Sequence, residues 1–236
     1  MSDRAYLQTP EQWTSFLSAL THEMRTPLAS LRMLAELLAG APQDRLGDQE
    51  RRYAENIQEV VQDIQGLVVD AAELAQLLGG RAQVRTGKVS LRLLVDQVEE
   101  SVRTRAWERG IALTDSVDPA LPPHIQTDPD RLRRILVLAL GAAVSHAESE
   151  VFFRLDHENG DLRALISSNG APFPEEETAE AFEPFHSGVR SARQRGGRSL
   201  ALPLAGELAR ALGGTLRASN RGGRPTFELS LPAAGS

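Results

Sequence analysis

Two long stretches of apolar residues at helical spacing occupy the first third of this 236-residue chain. From Pro10 to Ala39, and again from about Asp44 to Leu78, apolar side chains recur in alternating steps of three and four residues, the period of one helix face. Thr9-Pro10 is a typical N-cap and first helical position, and Gly79-Gly80 is a typical helix stop. The pattern predicts two long helices joined by a short loop, which form a hairpin.

A hairpin of this length has one apolar stripe on each helix and cannot cover both stripes by itself. Two copies can cover them, because their four helices close into a bundle with a shared core. We therefore expect residues 1–80 to form a homodimer through a four-helix bundle.

The pattern changes after a polar segment from Arg81 to about Lys88. Beyond it, short runs of strand character alternate with helical runs. Strands are predicted at Val89–Leu91, Ile111–Thr114, Val151–Leu155, Arg163–Ser167, Gly214–Ser219 and Thr226–Leu231. Helices are predicted at Arg92–Arg109, Asp130–His146 and Leu200–Leu212, the second started by Asp128-Pro129. The expected fold is an α/β sandwich with helices on one face of a mixed sheet, so the chain divides into domains at 1–80 and 88–232.

Composition excludes several classes of protein. The chain has no cysteine, and its five histidines show no ligand spacing, so a metal held by this chain alone is not expected. No apolar run approaches the roughly 20 residues that span a bilayer, and the N-terminus has no signal-peptide core. The formal net charge of −6 argues against a general nucleic-acid binder. We expect a soluble, cytoplasmic protein that neither inserts into membranes nor binds nucleic acid.

The run Thr21-His22-Glu23-Met24-Arg25-Thr26-Pro27-Leu28 places an imidazole, a carboxylate and a proline on the first helix. A histidine has a nucleophilic ring nitrogen that titrates near neutrality, a neighbouring glutamate could act as general base, and the proline should bend the helix. The run resembles the H-box of sensor histidine kinases, H-E-[LMI]-[RK]-T-P-L, at every position. The resemblance implies phosphoryl chemistry on His22; the alternative is an exposed His-Glu pair with no chemistry.

The element order of the second domain resembles the ATP-binding domain of histidine kinases, the Bergerat fold, so the resemblance covers nearly the entire chain. That family binds ATP through four motifs. In the first, the N-box, the second of two asparagines holds Mg²⁺, whereas Leu138 and Ala142 occupy the two asparagine positions here. Mg²⁺ needs oxygen ligands, and neither side chain offers one. The metal anchor is therefore predicted to be missing.

The G1-box, D-x-G-x-G, supplies an aspartate that accepts a hydrogen bond from the adenine amino group. Here it reads Ser168 to Pro172, with Gly170 retained. Ser168 lacks the charge and reach of a carboxylate, and Pro172 removes a backbone donor. The F-box remains as Phe182-Glu183-Pro184-Phe185, which indicates a retained fold rather than retained catalysis.

The G2-box, G-x-G-L-G-L, cradles the triphosphate with backbone N–H groups. Gly197 remains, but Ser199 and Ala201 replace two glycines. The intervening lid, His186–Gly196, carries three arginines and is interpreted as a solvated loop. The losses affect the Mg²⁺ ligand, the aspartate that recognises adenine and the phosphate-binding loop together. The domain is therefore predicted to be a pseudo-ATPase. We expect no cofactor bound by this chain; the residues at its degenerate ATP site are Ser168, Gly170 and Gly197.

Two functions implied by the resemblance need no ATP. His22 could accept a phosphoryl group from the phospho-aspartate of a response-regulator receiver domain and pass it to another receiver, with Mg²⁺ supplied by the partner. Glu23 to Thr26 also resembles the family's E-x-x-T phosphatase motif, in which Thr26 would orient a water for attack on the phospho-aspartate. Thr26 lies four residues after His22, on the same helix face, and positioning is most of the catalysis in phosphoryl transfer. The candidate catalytic residues are His22, Glu23 and Thr26.

The hypothesis that accounts for both the retained and the lost motifs is a dimeric histidine phosphotransferase or response-regulator phosphatase of two-component signalling. Two alternatives stay open. One is an active ATP-dependent histidine kinase with a divergent nucleotide site. The other is a non-catalytic scaffold that sequesters a response regulator or pairs with a true kinase.

Overall fold

The computed structural model describes residues 10–39, 47–79, 83–158, 161–174, 178, 181–182 and 200–232. Within the two long helices, the side chains of residues 10–19, 22–23, 26, 39, 48–51 and 59 are outside this description. The chain divides into two compact units, Met1–Gly79 and Gly80–Ser236.

The first unit is a helical hairpin. Helix α1 spans Pro10–Ala39 and helix α2 spans Asp48–Leu78, and the two pack against each other. The start of α1 at Pro10 and its end at Ala39 agree with the sequence pattern, whereas the predicted cap, Thr9, lies outside the described residues. The predicted start of α2 at Asp44 is wrong, because Gly47 is extended and the helix begins after it. The predicted bend at Pro27 stays a prediction; α1 continues through that residue.

The apolar stripes of the hairpin are covered unequally. On α2, Leu67, Ala71, Leu74 and Leu78 are buried. On α1, no described side chain is buried; its stripe is at best half-buried. Large apolar side chains also remain exposed on both helices, among them Leu28 (47%), Val61 (36%) and Val68 (46%).

The second unit contains two sheets and three described helices. Its helices are α3 (Leu91–Glu108), α4 (Pro129–His146) and α5 (Ala201–Ala211). Its strands are β1 (Gly87–Ser90), β2 (Ala112–Val117), β3 (His124–Thr127), β4 (Glu150–Glu158), β5 (Asp161–Ser168), β6 (Thr215–Arg221) and β7 (Arg224–Leu231). Strands β1 and β3 form a small antiparallel sheet, and the larger sheet has the order β2-β4-β5-β7-β6. Only the β2–β4 pairing of the larger sheet is parallel.

This architecture confirms the predicted α/β sandwich with a mixed sheet. Alternate residues of β4 and β5 are buried under the helices, as the pattern of β5 from Leu162 to Ser168 shows. Helix α4 contacts β4, β5 and β7, so it lies over the middle of the sheet. Its apolar residues on the sheet side are fully buried, including Leu132, Ile135, Leu140 and Val144.

Strands β1 and β3 differ from the sequence prediction. Strand β3 was not predicted; it pairs with β1 from His124 opposite Ser90 to Thr127 opposite Gly87. The predicted strand end at Leu91 is also wrong, because Ser90 caps α3 through its Oγ, which accepts the Leu93 N–H at 3.5 Å, and Leu91 is already helical.

The outer face of the sheet carries ion pairs. Asp156 accepts two hydrogen bonds from the Arg163 guanidinium, at 2.7 and 3.0 Å, and lies 2.9 Å from Arg154. Its side chain is only 4% exposed, although it projects from the outer face. The hydrogen bonds from Arg163 hold the pKa of Asp156 below its ordinary value, more than burial raises it. The Asp156–Arg163 ion pair links β4 to β5.

Candidate functional site

The candidate phospho-acceptor residues lie on the middle of α1. Positions 22, 23 and 26 are all helical, and their side chains are outside the described part of the structure. His22 and Thr26 are four residues apart, a rise of about 6 Å along the axis and nearly one full turn. Arg25 and Leu28 beside them are exposed. Pro27 has no N–H, so the carbonyl of Glu23, four residues earlier, receives no helical hydrogen bond from it.

The helix that corresponds to the N-box is α4. Asp128 caps it with its Oδ1, which accepts the Arg131 N–H at 3.1 Å, and Pro129 is its first residue, as the sequence predicted. Leu138 and Ala142 lie one turn apart on this helix; Leu138 is 6% exposed and Ala142 is partly exposed. An alkyl chain and a methyl group do not fit a Mg²⁺ site, which takes oxygen ligands. Among the described residues, no cluster of three or more His, Asp or Glu side chains could hold a metal ion.

The G1 position is filled by a buried serine. Ser168 is the last residue of β5, pairs with Val151 of β4 and is 1% exposed. Its short hydroxyl replaces a carboxylate at the point where the strand enters the loop 169–174.

This loop packs tightly against the end of α4. A Cβ atom placed on Gly170 would lie 2.2 Å from the carbonyl oxygen of His146, so only glycine fits there. The Nε2 atom of His146 lies 2.6 Å from the carbonyl oxygen of Ala171; a carbonyl can only accept, so Nε2 carries the proton. The imidazole also packs on the Phe173 ring, with 5.0 Å between centroids.

Two asparagines hold the same loop. Asn169 Oδ1 accepts three backbone N–H groups, from Glu148, Ser149 and Glu150, at 3.0 to 3.2 Å. Asn220 of β6 accepts the Phe173 N–H at 2.9 Å through Oδ1 and donates to the Phe173 carbonyl at 2.8 Å through Nδ2. Sequence reasoning did not single out His146, Asn169 or Asn220. The partner groups come from segments 19 to 47 residues away, so no local pattern marks them.

The remaining motifs are described only in part. Phe182 of the F-box is half-buried and packs against Gly206 of α5, at 3.3 Å from where a Cβ of that glycine would lie. Leu200 is fully buried and immediately precedes α5, which begins at Ala201, one residue later than predicted. Phe185, the lid His186–Gly196, Gly197 and Ser199 lie outside the described residues.

The structure places the predicted site residues in two groups. Leu138, Ala142, Ser168 and Gly170 lie on α4 and at the end of β5, elements that contact each other in the second unit. His22, Glu23 and Thr26 lie on α1 in the first unit. None of the described helices combines the length and apolar character needed to cross a bilayer.

Comparisons with known protein families match both units. Residues 12–80 match the His Kinase A (phospho-acceptor) domain, and residues 127–235 match the histidine kinase-, DNA gyrase B- and HSP90-like ATPase family.

Two relatives similar to this chain are sensor or signalling histidine kinases. The circadian input-output histidine kinase CikA of Synechococcus elongatus is 30% identical over 224 residues, which cover 92% of this chain and 29% of CikA. The sensor histidine kinase AruS of Pseudomonas aeruginosa is 29% identical over 229 residues, which cover 93% of this chain and 23% of AruS. The chain thus spans less than a third of the length of either relative.

Solved structures share the fold over both units. The Acinetobacter baumannii histidine kinase AdeS superimposes with a TM-score of 0.72 at 16% identity, over 91% of this chain and 98% of AdeS. Full-length ShkA in complex with AMPPNP superimposes with a TM-score of 0.68 at 30% identity, over 97% of this chain and 47% of ShkA. Histidine kinase ThkA in complex with the response regulator protein TrrA gives a TM-score of 0.66 at 14% identity, over 93% and 61% of the two chains. With its phospho-acceptor hairpin and its ATPase-like sandwich, this chain belongs to the histidine kinase family of two-component signalling proteins.

Proposed function

We propose that this chain acts through His22 as a histidine phosphotransferase or response-regulator phosphatase, and that its ATPase-like domain does not drive autophosphorylation. The observation that carries the proposal is the pair Leu138 and Ala142 on α4. Both stand where the family's N-box has asparagine, and neither can ligate Mg²⁺. The buried Ser168 in place of the adenine-reading aspartate supports the same conclusion.

The reactions use the partner's phosphate. In transfer, the P–O bond of the receiver's phospho-aspartate breaks, a P–N bond to His22 forms, and the aspartate carboxylate leaves. In dephosphorylation, a water oriented by Thr26 attacks the same phosphorus and releases inorganic phosphate. Glu23 would act as general base or orient His22. The Mg²⁺ would belong to the receiver domain.

The proposed partner is a response-regulator receiver domain. The structure of ThkA with the response regulator TrrA supports this choice, since its fold matches this chain. A second copy of this chain is the other proposed partner, because the described α1 stripe has no buried side chain and Leu28, Val61 and Val68 are exposed. A dimeric four-helix bundle would cover such apolar positions.

An active kinase with a divergent nucleotide site is the second candidate. It is favoured by ShkA, which is 30% identical and was solved with the ATP analogue AMPPNP. In that case the side chains of the lid region would have to supply what α4 lacks.

Two incubations distinguish these candidates. The protein is mixed either with labelled ATP and Mg²⁺ or with phosphorylated receiver domains, and acid-labile phosphate on His22 and phosphate on the receiver are both followed. Our proposal expects no label from ATP, and loss of receiver phosphate in the second incubation.

Variants then identify the reaction. His22→Ala should abolish phosphotransfer, and Thr26→Ala should abolish dephosphorylation. Thr21→Ala is the matched control, since Thr21 is an exposed threonine on the same helix and is not part of the motif. Label on His22 from ATP alone would establish the active kinase. Unchanged receiver phosphate in every mixture would leave the scaffold as the remaining interpretation.

A further inference from the structure

The loop 169–173 corresponds to a ligand-binding loop in ATP-binding relatives, yet here its polar groups are engaged by the protein itself. Asn169 accepts hydrogen bonds from three backbone N–H groups at the start of β4 and just before it. Phe173 is bonded through both its N–H and its carbonyl to Asn220 of β6. The Ala171 carbonyl accepts a hydrogen bond from His146.

These contacts link four separate parts of the domain. They join the end of α4 through His146, the segment before β4 through Asn169, and β6 through Asn220, while Phe173 packs on Phe227 of β7 with 5.4 Å between ring centroids. The bonds of Asn169 to Glu150 and of Asn220 to Phe173 are part-buried, whereas those to Glu148, Ser149 and Ala171 are exposed. In the part-buried sites a lost hydrogen bond is not simply replaced by water. A loop held in this way gains little further order from a ligand.

We propose that the loop Asn169–Phe173 is a brace that is ordered without nucleotide, and that His146 is the positioning residue that holds it against α4. The proposal rests on the absence of ATP-driven autophosphorylation proposed above and adds the means by which this loop stays ordered without nucleotide. The imidazole is suited to this role because it combines a donor for Ala171 with a flat face for Phe173. The contact is also close, since Gly170 leaves no space for a Cβ between the loop and the His146 carbonyl.

Amide hydrogen exchange, followed by NMR on the whole chain, tests the brace directly. The probes are the four amides bonded to asparagine side chains, those of Glu148, Ser149, Glu150 and Phe173. All four should be protected in nucleotide-free protein, and their exchange rates should not change when Mg²⁺ and ATP are added. Rapid exchange without nucleotide, followed by protection on addition of Mg²⁺ and ATP, would overturn the proposal.

Variants of His146 test its role. His146→Ala should raise the exchange rate of the Phe173 amide by roughly tenfold or more, since one hydrogen bond and a ring contact are lost, while amides of α5 keep their rates. His146→Phe keeps the ring against Phe173 and loses the hydrogen bond, so its effect should be smaller. An unchanged Phe173 amide in His146→Ala would show that the residue does not hold the loop.

Asn220→Ala provides a second variant if His146→Ala does not fold. It should expose the Phe173 amide and leave the amides of 148–150 protected. This outcome is independent of the labelling assay on His22. If the protein takes label from ATP and the loop amides are protected without nucleotide, the proposed function is refuted and the brace is retained. If the protein takes no label and the loop amides become protected only when nucleotide is added, only the brace is refuted.

Discussion

Leu138 and Ala142 lie one turn apart on α4, and both stand at positions where the family's N-box has asparagine. Leu138 is 6% exposed, so its side chain is packed as part of the core. The first asparagine position of the N-box is thus a packing position in this chain, whereas the second, Ala142, is partly exposed.

Leu138→Asn should therefore destabilise the domain. The substitution removes apolar contacts and buries a carboxamide, which should lower the free energy of unfolding by about 2–4 kcal/mol. Leu138→Met, which keeps volume and polarity, should cost less than about 1.5 kcal/mol. Urea unfolding with and without Mg²⁺ and ATP measures the free energy of unfolding of both variants. Recovery of stability on adding Mg²⁺ and ATP to Leu138→Asn would contradict this prediction.

Gly170 and Gly141 offer a matched pair of glycines in the same domain. Gly170→Ala should destabilise by about 1–3 kcal/mol or more, because the new Cβ meets the His146 carbonyl oxygen at 2.2 Å. Gly141→Ala should instead stabilise by up to about 1 kcal/mol, because a Cβ on this α4 residue comes only within 4.0 Å of the Arg105 guanidinium and alanine favours helix. Thermal unfolding of wild type and both variants shows whether each substitution lowers or raises the melting temperature. Equal effects from both substitutions would refute the close packing at Gly170.

The hairpin and most of the sheet follow from local patterns in the sequence. A proline and a repeating apolar stripe predict the start and end of α1. The alternation of apolar and polar residues predicts β5, whose residues from Leu162 to Ser168 are buried at every second position. Strand β3 is not predicted by such local patterns. It has only four residues, every second side chain is only half-buried, and it follows Pro122-Pro123. Its existence depends on pairing with β1, more than thirty residues earlier.

The candidate site shows the same division between local and non-local information. The departures from the family's motifs at Leu138, Ala142 and Ser168 are visible by aligning motifs, since each concerns the chemistry of one side chain. The contacts of His146 and Asn220 with the loop 171–173 are not, because they join α4 and β6 to a loop that is distant in sequence. The turn between β6 and β7 is made by Gly222 and Gly223, which both have positive φ, 57° and 78°, the region that favours glycine.

Asp156 predicts a pH-dependent contribution to stability. Its pKa is lowered in the folded state by hydrogen bonds from Arg163, so its contribution is fully present above the ordinary carboxyl pKa and is lost as the pH falls through the folded-state value. Asp156→Asn should lower the free energy of unfolding at pH 7 by about 1.5–3 kcal/mol. The difference from wild type should persist down to about pH 5 and shrink below about pH 4.

Glu158→Gln is the control for that pair. Glu158 also contacts Arg163, at 2.8 Å, but its side chain is 58% exposed, so the change should be within about 1 kcal/mol. Denaturant unfolding of wild type and both variants at pH 7, 5, 4 and 3 provides the comparison. A difference between wild type and Asp156→Asn that grows as the pH falls would have the wrong sign for this mechanism.

Glu23 is expected to contribute to the chemistry at His22. Glu23→Gln keeps the size and removes the base, so the rate of receiver dephosphorylation or transfer should fall by about 100-fold, the lower range for a general base. Glu36→Gln is the control, because Glu36 is an exposed glutamate on the same helix, 3.6 Å from Arg32. Rates are measured as loss of labelled phosphate from the receiver. Equal rates for both variants would assign Glu23 to the solvated surface of α1.

The exposed apolar residues of the hairpin predict a dimer that charge should separate. Leu28 on α1 and Val61 on α2 are 47% and 36% exposed in a single chain. Placing a glutamate at both positions, Leu28→Glu with Val61→Glu, should convert the dimer to monomer at micromolar concentration, because two copies would have to bury four carboxylates. Leu93→Glu is the control, since Leu93 is 56% exposed but lies on α3 in the other unit. Light scattering after size-exclusion chromatography measures the molar mass of each variant. A dimeric double variant would place the contact elsewhere on the hairpin, and a monomeric wild type would contradict the predicted four-helix bundle.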